Sequence, residues 1–172
     1  MTLPRVLITQ KWIEEAKRLE EKVVVRRTKA SNIDTLTGIL GEFAFAEWFY
    51  GDWKKNRVGE NKGEVNFKDI EIKTSAFPFS ERLNLLVRED YARKRKPPIY
   101  IQIIIDVKNR NASSIEPDTE AIICGYASAE EVDNAPLHDF GTKYGSSGGY
   151  KCHFISILNL HDIEELKGST NG

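Results

Sequence analysis

The sequence predicts an α/β (α+β) domain with a mixed central β-sheet flanked by helices. Three observations lead there. Thr9 to about Lys22 and Ser31 to Tyr50 repeat their apolar residues at helical spacing. Glu64–Phe67 and Ile70–Thr74 instead alternate apolar and polar residues with period two, the pattern of half-buried strands. Ile99–Val107 is an almost unbroken apolar, β-branched run, as expected of a central strand buried on both faces. At 172 residues the chain is most simply one domain. An N-terminal helix and basic extension occupy 1–30, a core 31–107, C-terminal strands and a helix 108–167, and a tail 168–172.

Composition narrows the function classes. A hydrophobic fraction of 40% is enough for a core, and 30% charged residues make a soluble surface. No apolar run approaches the roughly 18–20 residues of a membrane helix, and the N-terminus lacks the layout of a signal peptide. The expectation is a cytoplasmic protein with no membrane partner. Cys124 and Cys152 fall in predicted strands without CxxC spacing and read as buried free thiols. His138, His153 and His161 show no metal-ligand spacing. A net charge of −1 argues against a protein that coats nucleic acid. Local basic clusters at Lys22–Lys29, Lys54–Arg57 and Arg93–Lys96 remain, each read by default as a solvated surface run.

In the first helix Trp12, Ala16, Leu19 and Val23 form one apolar stripe, and charged residues cover the rest. Val23–Lys29 follows as a strand or extended arm. Arg26 and Arg27 are its candidate phosphate contacts. The second helix, capped by Ser31, is apolar around most of its circumference, which marks it as buried. Glu42 then stands in an apolar setting and needs a metal, a cation or backbone amides as partner. Gly38 and Gly41 are expected to let this helix approach the sheet closely. Gly51–Lys62 is a polar and basic connection. Lys54, Lys55 and Arg57 in it are candidate phosphate-steering groups, and Trp53 is expected to tuck onto the core.

Next comes the most informative stretch, Gly63–Ala76. A two-residue turn at Lys68-Asp69 sets Phe67 opposite Ile70, Asn66 opposite Glu71, Val65 opposite Ile72 and Glu64 opposite Lys73. Glu64, Asn66, Glu71 and Lys73 then share one face. Two convergent carboxylates suit a hard divalent cation, and an adjacent lysine suits water activation or anion stabilisation. A solvated face carrying a Glu64–Lys73 ion pair worth about 0.2–1 kcal/mol accounts for the same residues. The acid-x-Lys spacing does not choose between them, because it occurs seven times in the chain.

Beyond the hairpin, Ser75 continues the face of Glu71 and Lys73. Leu83–Val87 is a third strand, and Glu89–Lys96 a short helix or turn stopped by Pro97-Pro98. Gln102 is the polar exception in Ile99–Val107; it either faces the site or bonds inside the core. Asp106/Lys108 repeats the acid-x-Lys spacing but has no opposing acid. Glu120–Tyr126 is a further strand, and Ser128 caps a helix with Glu131. His138–Gly149 is a Gly/Ser-rich loop, Tyr150–Ile157 a last strand and His161–Leu166 a last helix.

An acid on one strand, E-I-K-T-S on the next and a preceding helix containing Gly-Glu together resemble the PD-(D/E)xK nuclease superfamily, over about Ile33–Val107. The resemblance implies a restriction-endonuclease-like fold and a metal-dependent nuclease, most simply acting on DNA with Mg²⁺ or Mn²⁺. Carried over by position, it implies Glu64 and Glu71 as metal-binding acids and Lys73 as the catalytic lysine. Glu42 would be the additional helix acid and the Ile72 backbone carbonyl a further ligand. Glu64 stands where Asp is usual, and Gly63 where Pro often stands. Ser75, Gln102, Lys54, Lys55, Arg57, Arg26 and Arg27 are the candidate nucleic-acid contacts. A homodimer is a plausible arrangement for cutting both strands of a duplex. The alternative is a nucleic-acid-binding or assembly protein that retains the fold without catalysis.

Overall fold

The computed structural model describes residues 3–23, 32–55, 69–89, 97–139 and 151–170. The chain runs β1 (Arg5–Leu7), α1 (Gln10–Val23), α2 (Asn32–Tyr50), β2 (Ile70–Phe77), β3 (Asn84–Arg88), β4 (Ile99–Asp106) and β5 (Glu120–Ser128). It continues through α3 (Ala129–Asn134), β6 (Leu137–Asp139), β7 (Lys151–Ser156), a 3₁₀ turn (Ile157–Asn159) and α4 (Ile163–Thr170). The class is α+β, with four α-helices and two sheets among the described residues.

The main sheet has the order β1-β5-β4-β2. β2 and β4 are parallel, while β4–β5 and β1–β5 are antiparallel, so the sheet is mixed as expected. The second sheet, β3-β7-β6, is antiparallel throughout. The longer helices α1 and α2 pack on one face of the main sheet. The other face is covered by the second sheet and by short α3. The sequence does not announce that second sheet, because β3 and β7 bury their apolar sides only on pairing, and that pairing is not local.

Two apolar layers hold the elements together. Ile8, Trp12, Leu40, Phe43, Phe45, Ile101, Ile103 and Ile123 fill the layer between helices and main sheet. Leu85, Val87, Tyr100, Ala127 and Val132 pack between the sheets, as do Ile104, Ile122, Cys124 and Ile157 nearby. β4 supplies both layers with alternate residues, which is why its sequence is apolar at nearly every position. Each fully buried Leu or Ile contributes about 1.5–3 kcal/mol.

Local chemistry sets most boundaries. The Thr9 hydroxyl accepts from the Trp12 N–H at 3.1 Å and starts α1. The Ser128–Glu131 capping box forms as expected, with Ser128 Oγ accepting from Glu131 N–H at 3.1 Å and Glu131 Oε1 from Ser128 N–H at 3.0 Å. Trp53 tucks onto the core with its ring centroid 4.9 Å from that of Phe43 and 5.9 Å from that of Trp12. Other elements differ from expectation. β2 runs on to Phe77, because parallel β4 offers it eight consecutive partners. β1 and β6 are strands of three residues each, too short for periodicity to show. β6 takes His138 and Asp139 out of the expected loop. Residues 24–31, 64–68 and 90–96 lie outside the described residues, and with them the basic arm, the Ser31 cap, the first hairpin strand and most of the charged turn.

Candidate functional site

β2 is the outermost strand of the main sheet among the described residues. The chain turns into it at Asp69, whose φ of 70° lies in the left-handed region that Asp tolerates better than most residues. Ile70 and Ile72 are buried against the helical layer. Successive side chains of a strand point to opposite faces, so Glu71, Lys73 and Ser75 project from the other face. All three are half-buried.

The parallel register extends this row onto β4. Glu71 stands beside Tyr100, Lys73 beside Gln102 and Ser75 beside Ile104. Gln102 is only 1% exposed. Its Nε2 donates to the Ile103 carbonyl at 2.9 Å and reaches Ser75 Oγ at 3.5 Å. The amide thus bonds within the core and also reaches the polar row. Gln102 faces Gly125 on β5, where the register shifts. Gly125 has a φ of 142°, and a Cβ there would lie 2.5 Å from the His161 carbonyl oxygen. Burial, and then the negative charge of Glu71 and of Asp133, pushes the Tyr100 phenol up to about 12. Tyr100 therefore stays a neutral hydrogen-bonding group beside the Glu71 carboxylate.

α2 lies on the opposite side of β2. Gly41 abuts Thr74, as the sequence suggests, whereas a Cβ on Gly38 would meet nothing within 4 Å. Gly41 alone therefore answers the expected close approach; Gly38 belongs to a part of the helix with space around it. Glu42 follows Gly41 and is a buried carboxylate, 8% exposed. Because α2 and the Glu71–Lys73 row occupy opposite faces, a cation shared by Glu42 and Glu71 has to sit at the edge of β2. Backbone carbonyls of a strand lie in the sheet plane, and that of Ile72 lies between the two faces. Among the described residues no group of three acidic, histidine or cysteine side chains able to hold a metal is present. Glu64 lies outside the described residues, as do Arg26, Arg27 and Arg57.

Lys54 and Lys55 do not join the row. They follow α2 on the helical side, where Lys54 Nζ lies 5.4 Å from the centroid of the Trp53 ring. Glu47, which sequence reasoning left without a role, accepts from the Trp53 N–H at 3.0 Å and ties this turn down. Asp106 of the rival acid-x-Lys pair is also structural, accepting from the Phe79 N–H at 2.8 Å.

The side chains that meet Ser75 come from elsewhere. A cleft of about 630 Å³ opens beside it, lined by Arg82, Lys108 and Arg110 together with Phe77, Asn84 and Ile104. Among the described residues it has no acidic lining residue. Because β2 and β4 are parallel, the segments leaving them emerge at the same end, and this brings Arg82 to Lys108 and Arg110. The only sequence signal available was that each follows a strand; their meeting depends on the pairing.

Comparison of the chain with protein-family models, curated proteins and solved structures gives no match.

Proposed function

We propose that the chain is a metal-dependent nuclease that hydrolyses nucleic-acid phosphodiester bonds, most simply those of DNA. The observation that carries this reading is the row on β2: a carboxylate, an ammonium and a hydroxyl at alternate positions of one strand face. A buried Glu42 on the adjoining helix supports it. The donor chemistry fits Mg²⁺ or Mn²⁺, since carboxylate and carbonyl oxygens are the ligands a hard divalent cation takes. Glu71, Glu64, the Ile72 carbonyl and Glu42 are the groups that would hold it. Such a cation, when bound, lowers the pKa of a coordinated water and neutralises charge on a phosphoryl oxygen.

The remaining steps belong to this chain's own side chains. Lys73 orients the attacking water and stabilises negative charge on the phosphoryl group as the water oxygen bonds to phosphorus. The bond from phosphorus to the leaving oxygen then breaks; the attacking water gives up a proton to solvent, and the leaving oxygen takes one up from solvent. Ser75 offers a hydroxyl to a non-bridging phosphate oxygen. Gln102, held by the Ile103 carbonyl, limits the positions open to Ser75. Tyr100, neutral beside Glu71, places no second anion next to that carboxylate.

The test is Mg²⁺ and Mn²⁺ titration by calorimetry on the wild type and on Glu71→Ala, followed by incubation with DNA. Metal binding lost in the variant together with metal-dependent cleavage by the wild type is the expected result. Cleavage retained in each of Glu64→Ala, Glu71→Ala and Lys73→Ala overturns the reading. A second reading is a nucleic-acid-binding protein without catalysis, favoured by the acid-free basic cleft, which needs none of the carboxylates. It predicts binding that falls with salt and is indifferent to metal.

A further inference from the structure

We infer that the cleft beside Ser75 is a binding track for the sugar–phosphate backbone of a nucleic-acid strand, with Arg82, Lys108 and Arg110 as its phosphate contacts. Its register on the substrate rests on the nuclease reading; its chemistry does not.

Charge is the first ground. Arg82, Lys108 and Arg110 are all exposed, and none forms an ion pair among the described residues. Three cations gather around one cleft with no acidic residue in its lining among the described residues, in a chain whose net charge is −1. Unneutralised like charges repel one another, so such a group is stable only where solvent or a bound anion compensates it. A polyanion with regularly spaced charges satisfies all three at once and releases counterions as it binds.

Shape and neutral chemistry point the same way. The opening is about 630 Å³, and its lining residues come from β2, from the lead-in to β3 and β3 itself, and from the segment after β4. Asn84 adds an amide to the cations and Ser75 a hydroxyl, both suited to phosphate oxygens. Phe77 contributes an aromatic ring at the same wall, a surface on which an unpaired base can stack. A purely acidic polymer such as polyglutamate would use the cations but brings no flat ring to stack on Phe77.

Position is the third ground. Ser75 belongs both to the cleft and to the row of Glu71 and Lys73. At about 3.3 Å per residue, it stands roughly 7 Å along β2 from Lys73. That is of the order of one phosphate-to-phosphate step along the backbone of a strand. A strand whose phosphate is held at Lys73 therefore presents its next phosphates to the cleft, and the three cations fix the direction in which it leaves.

The experiment is fluorescence anisotropy with a labelled DNA oligonucleotide, single-stranded and duplex, in EDTA over a range of salt. The wild type is compared with the triple variant Arg82→Ala/Lys108→Ala/Arg110→Ala. A charge-matched control, Lys11→Ala/Lys17→Ala/Lys151→Ala, removes three exposed lysines away from the cleft; circular dichroism checks that both are folded. Expected are binding weakened roughly tenfold or more, and a log–log salt slope shallower by about 2–3, in the cleft variant only. The inference is overturned if the cleft variant binds like the wild type, if the control weakens binding equally, if the wild type does not bind DNA, or if polyglutamate competes as well as DNA. Cleavage with Mg²⁺ or Mn²⁺ is scored separately. A wild type that binds through the cleft but never cleaves removes the nuclease reading and leaves the track standing. Cleavage with binding indifferent to the triple substitution does the reverse.

Discussion

Gly41 of α2 and Thr74 of β2 are in direct contact: a Cβ on the glycine would lie 1.8 Å from the threonine Oγ1. This contact sets how closely α2 approaches the edge strand, and so where Glu42 stands relative to Glu71. Gly41→Ala is expected to destabilise the protein by about 1–3 kcal/mol through overpacking, even though alanine is favoured over glycine in a helix by about 1 kcal/mol. Thr74 is β-branched and stiff about χ1, so it cannot swing aside cheaply. Adding Thr74→Ala to Gly41→Ala should restore much of the loss. Urea denaturation of the two single variants and the double variant checks this, and additive losses would show that the two residues do not share the contact.

The Glu71–Lys73 row predicts a separation of activity from stability. Glu71→Gln and Lys73→Ala should each lower metal-dependent cleavage by about 100-fold or more, the scale of removing one electrostatic contributor to a transition state. Both side chains are half-buried at a sheet edge, and their melting temperatures should stay near that of the wild type. Single-turnover cleavage and thermal melts on the same samples measure the two quantities.

A third prediction concerns the C-terminal segment. Glu131 Oε1 and Oε2 each lie 2.8 Å from His161 Nε2, while the same carboxylate closes the capping box of α3. Burial works to raise its pKa, but hydrogen bonds from Ser128 and His161 prevail and hold the carboxyl below its ordinary value. A depressed carboxyl pKa adds stability that is present above the unfolded-state pKa and is lost as pH falls through the folded one. The wild type should therefore melt above Glu131→Gln at neutral pH, with the difference closing as pH falls from the ordinary carboxyl value through the depressed folded-state one. Ser128→Ala should cost about 0.5–2 kcal/mol by removing the cap itself. Melting curves between neutral and acid pH, with a gap that stays constant, would contradict this account.

Thiol chemistry gives a fourth. Cys124 and Cys152 are both buried free cysteines. Burial raises the Cys124 thiol to about 12, against smaller opposing effects from the Ile104 backbone and Arg5. The thiolate is the reactive species, so the native protein should resist alkylation by iodoacetamide at pH 8, and both thiols should label once it is unfolded. Rapid labelling of Cys124 in the native state, followed by mass spectrometry, would contradict its placement between the sheets.

Much of this molecule is local enough to read from the chain. Period-two alternation places Glu71, Lys73 and Ser75 on one face whatever the strand pairs with, because the pleat alone sets it. The apolar circumference around Glu42 marks α2 as buried, and Ser128 with Glu131 declares a helix start, since capping is a contact between near neighbours. The unbroken run from Ile99 identifies β4 as covered on both faces.

What the chain did not declare depends on pairing between distant segments. β1 and β6 are too short to carry a period. The second sheet forms only when β3 meets β7, which are far apart in the chain. Gln102 meets Ser75 only because β2 and β4 run parallel in one particular register. The same parallel arrangement brings Arg82 beside Lys108 and Arg110, basic residues that look like unrelated surface charges in the sequence. Backbone geometry fixes each segment's period and exposes one face or two. Which segments meet is fixed by mutual burial of those faces, and that belongs to the tertiary structure.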